Sequence, residues 1–463
     1  MSVPQQKEAT GAEEAPDAAA SDPAASDAAA SQAAPWEAEA HVVAVQKRTV
    51  RLLSAAQIVG GVGVGVASSL GSLLAEDVAQ SETYAGLART AITAGAAVVG
   101  VPLAFLAQRR GRRAALSAGW LAAAIGGFIL VGAAVLGSIP LLAFGMLLFG
   151  IGSATNQQSR YAAADLAPPH RRARALSVVV WSTTIGSVIG PNLADPGAAV
   201  ATALQLPPLT GAFLLSAGCM TVASVLLWGW LRPDPLLLSR QRTESETEKS
   251  ATGTGAPAAS ESIVGTLRLV RAHLRRTPRA AFALLAIVVA NTVMVAVMTM
   301  TPVSMAGHGA TLTVVGITIS GHLLGMYAFS PVVGWLADRF GHLSVTLAGQ
   351  AVFVASALLS GFSRGSTAMV MAGLFLLGLG WSFSLVAGSA MLSDATPAAL
   401  RPGVQGIADT AMNVVAAVGA CLSGPLMGST GFGGLNAFAG ILVLPVVVFS
   451  FFLARGRTRT TAY

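Results

Sequence analysis

Long apolar runs separated by short polar turns make up most of the chain after residue 46. Between Ala280 and Ala337 there is no Asp, Glu, Lys or Arg. About 20 apolar residues cross a bilayer as a helix, so this run predicts two crossings joined by a turn. The same pattern predicts twelve spans in all, near residues 50–75, 84–107, 114–136, 139–165, 174–195, 209–231, 280–303, 312–337, 343–362, 366–393, 403–428 and 433–454.

The predicted spans form two groups of six. The expected organisation is a disordered tail over 1–46, a six-helix bundle over 47–231, a linker over 232–279, a second bundle over 280–454 and a tail over 455–463. The first tail is rich in Ala, Ser, Asp and Glu and cannot bury a core. It also lacks the basic start and apolar stretch of a signal peptide.

The end of the linker carries apolar residues at helical spacing among arginines. Ile263, Leu267, Val270 and Leu274 follow this spacing. One interpretation is a basic amphipathic helix on an anionic membrane surface. The other is a cytoplasmic extension of the seventh span.

Composition supports a membrane protein, since 54% of the residues are hydrophobic and 11% are charged. The net charge of +7 raises the question of nucleic-acid binding, but the positions of the charges answer it. All but three of the 28 Lys and Arg residues lie in the tails and in alternate connections. Arg364 lies in the opposite set of connections, and Arg89 and Arg160 lie within predicted spans. This asymmetry predicts a multi-pass plasma-membrane protein with both termini in the cytoplasm and no nucleic-acid partner.

A short polar turn follows the charge-free run. Residues Gly334 to His342 read G-W-L-A-D-R-F-G-H, and residues Ala104 to Arg113 read A-F-L-A-Q-R-R-G-R-R. The turn resembles the loop between the second and third helices of each half of a major facilitator superfamily transporter. That resemblance implies an all-α fold of two pseudo-symmetric six-helix bundles, with a small-molecule substrate bound between them. A bacterial, monomeric exporter of drugs or metabolites is the form of the family expected here.

A second landmark repeats with the turn. Asp165, Pro168 and Arg172 recur as Asp394, Pro397 and Arg401 at the same offsets. The interval from each turn to its Asp differs by one residue, so one period of roughly 230 residues covers both landmarks. The repeat supports a duplicated transporter with its substrate site at the repeat interface.

The resemblance implies that the turns lock one state of the transporter through contacts with neighbouring helix ends. An alternative is that they signal topology only. In the first half, Gln108 stands where the acid is expected. Asp409 could supply that acid by pairing with Arg109 or Arg112, or could itself carry a proton. The predicted gating residues are Gly334, Asp338, Arg339, Gly341, Gln108, Arg109, Gly111 and Arg112.

The fifth predicted span contains Gly186, Gly190 and Pro191. They resemble the core of the antiporter motif of proton-linked exporters. Glycines four residues apart also let two membrane helices approach closely, so plain helix packing is an equal alternative.

Several polar residues within the spans are candidates for binding substrate or protons. Asn156, Gln157 and Arg160 lie together in the fourth span, and polar groups there must pair or face a cavity. Arg160 could instead reach the inner surface or pair with Asp165. Asn291 could contact substrate or bond to a neighbouring helix.

His322 lies deep in the eighth predicted span. A histidine changes its charge in the physiological pH range, so it could carry the coupling proton. The alternative is a neutral imidazole hydrogen-bonded to a neighbouring helix.

Together these features predict a secondary transporter that exports a small amphipathic or apolar molecule in exchange for protons. Alternatives are an uptake carrier or proton symporter for a small metabolite, and a membrane sensor that does not transport. The sequence contains no nucleotide-binding P-loop, metal-ligand cluster or nucleophile–base set. We therefore expect no cofactor, no metal and no enzymatic activity.

Overall fold

The computed structural model describes residue 36 and residues 39–80, 83–249 and 263–460. Predictions for the rest of the first tail, the middle of the linker and the last three residues lie outside the described residues. Every regular element in the described part is helical. An all-α fold follows from the apolar runs, because a helix satisfies its own backbone hydrogen bonds in lipid.

The first half contains six α-helices. They are α1 (Ala40–Ala79), α2 (Thr83–Leu136), α3 (Ile139–Ala162), α4 (Arg172–Ile189), α5 (Ala194–Ala203) and α6 (Thr210–Trp230). Short 3-10 segments, Pro169–Arg171 and Gly190–Leu193, precede and follow α4.

Two linker helices and the helices of the second half follow. The linker contains α7 (Pro235–Lys249) and α8 (Ile263–Arg276). The second half contains α9 (Pro278–Gly307), α10 (Leu312–Tyr327), α11 (Ser330–Phe340), α12 (His342–Gly361), α13 (Thr367–Asp394), α14 (Arg401–Leu442) and α15 (Leu444–Thr460).

Glycines divide the two longest helices. A continuous helix of the 54 residues in α2 would be roughly 80 Å long, far more than a bilayer. Gly111 breaks it with a φ of 85°, and Gly431 breaks α14 with a φ of 72°. Glycine tolerates positive φ without steric cost, so each break becomes a tight turn between two spans.

In the described residues, nine helices are long and apolar enough to cross a membrane. The number is ten when the bent pair Pro169–Ile189 and Ala194–Ala203 is taken as one span. The predicted class of all-α membrane protein is confirmed, while the number twelve stays a prediction.

Each half has its own apolar core. The first packs around Trp120, with Phe149 and Phe213 in edge-to-face contact at 5.7 Å between ring centroids. The second surrounds Phe282 and Leu374. A further buried apolar cluster, which includes Leu176 and Val333, joins the two halves.

The linker helices lie at one end of the bundle, together with the turns at Gly111 and Gly341. We call this the basic end. Helix α8 is separate from α9, and it buries Thr266 and Val270 while Val264 remains exposed. Only Thr277 separates α8 from α9, and the position of α8 on a membrane surface stays a prediction.

Candidate functional site

The turn after α11 closes on the start of α4 in the other half. The two carboxylate oxygens of Asp338 accept hydrogen bonds from the backbone N–H groups of Ala173 and Arg174, each at 3.0 Å. These N–H groups belong to the first turn of α4, where helical donors have no partner within the helix. A carboxylate there also meets the positive end of the helix dipole. Asp338 thus ties the two halves together at the basic end.

Two glycines of the same turn have separate structural reasons. A Cβ at Gly334 would lie 2.3 Å from Ser177 Oγ and 2.8 Å from the carbonyl oxygen of Ala173, so only glycine allows α11 to approach α4 this closely. Gly341 has a φ of 87° and ends the helix. Arg339 is exposed and lies over the ring of Phe340.

In the first-half copy of the turn, a side chain donates a hydrogen bond to the other half, whereas the side chain of Asp338 accepts. Gln108 is buried, and its Nε2 donates to the carbonyl oxygen of Ala399 at 3.0 Å. Arg240 of the linker donates to the carbonyl oxygens of both Gln108 and Ala399. Thr266 of α8 donates to Gln108 Oε1 at 3.4 Å. An amide that donates to a carbonyl therefore occupies the place where the second half has a carboxylate that accepts.

Behind each turn lies an aspartate of the internal repeat. Arg112 is buried and pairs with Asp165 at 2.8 Å. At the corresponding place in the second half, Nδ1 of His342 lies 3.2 Å from Asp394. The 230-residue repeat thus extends to the partners of these aspartates.

Each of these two aspartate clusters also makes a contact across the interface between the halves. Arg112 donates to the side-chain oxygen of Gln405, and Arg172 pairs with Asp394. Gly111 lies against the carboxylate of Asp234, and Arg109 lies over the ring of Phe105 at 4.6 Å.

An ion pair joins the halves deeper in the interface. Arg160 of α3 donates to Asp409 of α14 at 2.7 Å, and the two side chains are only 3% and 1% exposed. Arg160 also donates to the hydroxyls of Tyr161 and Ser389. The second carboxylate oxygen of Asp409, Oδ2, is buried without a hydrogen-bond partner. A buried charge pair held by few additional bonds is sensitive to loss of either charge.

This pairing corrects two expectations. Asp409 does not pair with Arg109 or Arg112, because Arg112 already binds Asp165 and Asp409 faces α3. Arg160 does not reach the surface, since it is buried. An acid two turns into its helix lies too far from the membrane face to reach the turn.

The other polar residues of α3 divide between the two halves. Gln157 accepts a hydrogen bond across the interface from Nδ2 of Asn413 at 3.1 Å. Asn156 faces α1, where its carbonyl oxygen accepts from Gln57 and its Nδ2 is buried without a partner. Gln157 and Arg160 therefore belong to the interface, whereas Asn156 belongs to the first bundle.

Asn291 and His322 bond within the second half. Asn291 accepts from Nε1 of Trp381 at 3.1 Å and donates to the carbonyl oxygen of Met412. Nδ1 of His322 lies 2.8 Å from the carbonyl oxygen of Leu374, so this nitrogen carries the hydrogen. These contacts match the interhelical hydrogen bonds that were the alternative for both residues.

The antiporter-like glycines lie at a close crossing of α1 and α4. A Cβ at Gly186 would lie 2.9 Å from the Cα of Gly61, and one at Gly190 would lie 2.6 Å from the Cα of Gly65. The helix changes to a 3-10 segment from Gly190 through Pro191. This geometry is the close helix packing that small residues four apart permit.

The interface contacts described above lie at the basic end or approach it from the membrane interior, so the two halves are closed together there. Among the described residues, no group of three or more His, Cys, Asp or Glu side chains could hold a metal ion. Sequence reasoning missed Gln405, Ser389 and Asn413 as partners. Gln405 and Asn413 each gave a signal, because they lie four residues before and four residues after Asp409 and so on the same helix face.

Comparison with known proteins gives the same architecture. The family model described as Major Facilitator Superfamily matches residues 53–311 and 282–462. The uncharacterized MFS-type transporter YddS of Bacillus subtilis is 35% identical over 409 residues, which cover 88% of this chain and 91% of that protein. The riboflavin transporter RfnT of Brucella anthropi is 28% identical over 403 residues, 87% of this chain and 93% of that protein.

Solved structures share the fold at low sequence identity. The human organic anion transporter MFSD10 superposes with a TM-score of 0.66 and 15% identity, covering 88% of this chain and 99% of that one. The proton:xylose symporter XylE superposes with a TM-score of 0.66 and 17% identity, covering 89% and 95%. By the family model and the bacterial relatives, this chain belongs to the Major Facilitator Superfamily of membrane transporters.

Proposed function

We propose that the protein exports a small amphipathic or apolar molecule in exchange for protons, by alternating access. The buried pair of Arg160 and Asp409 is the observation that carries this proposal, because it joins the two halves by charge deep within the membrane. Opening of the basic end must break this pair.

Protonation of Asp409 provides a way to break it. A neutral carboxyl loses the attraction to Arg160, while the pair as it stands satisfies both charges. Oδ2 of Asp409 has no partner and can accept the proton without displacing another bond. A proton bound at Asp409 would therefore favour separation of the halves, which is the coupling that exchange requires.

The composition of the interface supports the substrate class. Arg160 and Asp409 neutralise one another, and the neighbouring cross-interface contact is between the amides of Gln157 and Asn413. A neutral site with amide groups suits a molecule with a small polar part and an apolar remainder better than a multiply charged one.

The orientation follows from the basic residues. We place the basic end in the cytoplasm, with both termini there and the protein monomeric in the plasma membrane. In this orientation the structure is closed towards the cytoplasm, with Asp338 and Gln108 as gate contacts.

A second candidate is uptake or proton symport of a small metabolite. The relative RfnT, a riboflavin transporter of similar length, favours a metabolite as the substrate. Its substrate has a polar chain and a flat aromatic ring system, which is compatible with the same interface.

Transport assays in vesicles distinguish these candidates. Inside-out vesicles are prepared with an acidic interior. Either riboflavin or an amphipathic dye such as ethidium, one of a panel, is then added to them. Collapse of the pH gradient by a dye, absent in Asp409→Asn, supports proton-coupled export. Accumulation of labelled riboflavin by right-side-out vesicles, driven by external acid, would instead support symport. Dye uptake by the inside-out vesicles that continues unchanged without a pH gradient would refute proton coupling.

A further inference from the structure

A cavity of about 300 Å³ lies at the end of the bundle opposite the basic end. It is formed where α9 ends, where α12 connects to α13, and where Gly431 breaks α14. Its volume is at the lower limit of pockets that hold small organic ligands. The gate contacts between the halves lie at the other end, so this cavity is separate from them.

Arg364 lines this cavity and is an exception in two respects. It follows α12, which starts at the basic end, so it lies at the opposite end where basic residues are disfavoured. Its φ of 46° is one that non-glycine residues rarely adopt. Gly365 follows with a φ of 84°, so the two residues form a left-handed turn that places Arg364 at the cavity.

The start of α13 adds positive character to the same cavity, and the ring of His308 lies beside it. Nδ1 of His308 bonds to the carbonyl oxygen of Ser304 at 2.7 Å, and a Cβ at position 365 would lie 3.0 Å from the imidazole ring. Ser366, the cap of α13, makes no side-chain hydrogen bond to the first turn, and Thr367 of that turn lines the cavity. The positive end of a 28-residue helix therefore lies at the cavity edge.

The rest of the lining is apolar or neutral. Met305 and Val370 are buried there and belong to a small apolar cluster with Phe432. Among the described residues that line the cavity there is no Asp or Glu to neutralise Arg364.

We propose that this cavity binds a small organic monocarboxylate. The carboxylate lies at Arg364 and the start of α13, since a guanidinium donates two parallel hydrogen bonds to a carboxylate and the positive end of a helix favours an anion. The aromatic or aliphatic part packs against Met305, Val370 and Phe432. The site goes beyond the proposed transport function and does not depend on it, because none of its residues belongs to the interface pair or the gate.

Binding of benzoate tests the proposal, with benzamide as the uncharged molecule of the same shape. Saturation-transfer difference NMR on the full chain in nanodiscs gives the affinity of each. The main variant is Arg364→Asn, because asparagine tolerates positive φ and so removes the charge without straining the turn. Arg364→Lys keeps the charge, and Arg271→Gln, an exposed site on α8, is the matched control.

The expected result is that wild type and Arg271→Gln bind benzoate and not benzamide. Arg364→Asn should lose about tenfold or more in affinity. Arg364→Lys should recover part of this loss. Elution volume and unfolding temperature show whether each variant is folded. Equal binding of benzoate and benzamide, unchanged affinity in folded Arg364→Asn, or no binding to wild type would each overturn the proposal.

Discussion

Replacement of Asp409 by Asn should shift the transporter away from the state closed at the basic end. The substitution keeps an oxygen near Arg160 but removes the charge from a pair that is 3% and 1% exposed. Hydrogen bonds to charged groups contribute about 1.5–3 kcal/mol, and we place the bond between two opposite charges at the upper end and the bond from the charged guanidinium to a neutral amide oxygen at the lower end. The closed state should therefore lose about 1.4 kcal/mol, or about tenfold in its population relative to the open state.

The closed state would lose more free energy if the charge of Arg160 had neither water nor another hydrogen-bond acceptor. Removing one partner of a buried ion pair costs about 3–5 kcal/mol when the other charge remains without compensation. The hydroxyls of Tyr161 and Ser389 still accept from Arg160, so we expect the smaller value. In the open state the halves separate and water reaches Arg160, so the penalty applies to the closed state.

Distances between spin labels at the basic end measure this shift. Cys219 and Cys421 are free and would be replaced first. Labels at Arg171 of the first half and Arg276 of the linker are both exposed and lie across the interface. Double electron–electron resonance then gives the fraction of short and long distances for wild type and variants.

A double-mutant cycle isolates the pair. In Asp409→Asn with Arg160→Gln no charge is left unpaired, so the double variant should be more closed than the sum of the single effects predicts. Effects that add within about 0.3–0.5 kcal/mol would mean that the pair does not couple the halves. Acidification should open wild type more than Asp409→Asn, because burial raises the pKa of Asp338 to about 6 and this gate carboxylate titrates in both proteins. An equal response in both would exclude Asp409 as the proton site.

Three further outcomes follow from other contacts. Asp338→Asn should slow turnover and leave the substrate dissociation constant nearly unchanged, because Asp338 binds a helix end at the gate; loss of equilibrium binding in folded protein would contradict this. His322→Gln should retain proton-driven transport, because the imidazole bonds to the carbonyl of Leu374 within its own half; loss of coupling with intact binding would make it the proton carrier. Burial lowers the pKa of His273, and this effect exceeds the opposite effect of its hydrogen bond to Ala395. The contribution of His273 to the stability of α8 is therefore full above about pH 6.5 and falls at lower pH. Hydrogen–deuterium exchange of Ile263–Arg276, corrected for the slowing of intrinsic amide exchange at lower pH, should therefore show reduced protection under mild acid in wild type and a much smaller reduction in His273→Gln.

Sequence reasoning succeeded where the signal is local. Apolar runs predict membrane helices because the bilayer sets their length, and Gly111 and Gly341 mark turns because their backbone requires positive φ. The repeat of Asp165 and Asp394 predicted two related halves, and the partners of both aspartates repeat as well.

Sequence reasoning failed where a contact joins distant parts of the chain. Arg160 and Asp409 are 249 residues apart, and nothing in one sequence states which acid faces which base. The register between α3 and α14 decides the pairing, and that register depends on packing of the two halves. For the same reason Asn291 and His322 could be placed at mid-span, but their hydrogen-bond partners could not be assigned.

The two gate contacts differ in their chemistry, and this difference makes the two seams between the halves unequal. Asp338 holds the seam of α4 and α11 by charge and is only partly buried, so dissolved ions screen it. Gln108 holds the seam of α2 and α14 by a buried amide, the buried Arg112 donates there to the neutral side chain of Gln405, and Thr410 adds a bond to Ala97. We therefore expect rising ionic strength to weaken the contact between α4 and α11 more than the contact between α2 and α14. The halves would then separate first between α4 and α11, while α2 and α14 stay in contact and act as a hinge.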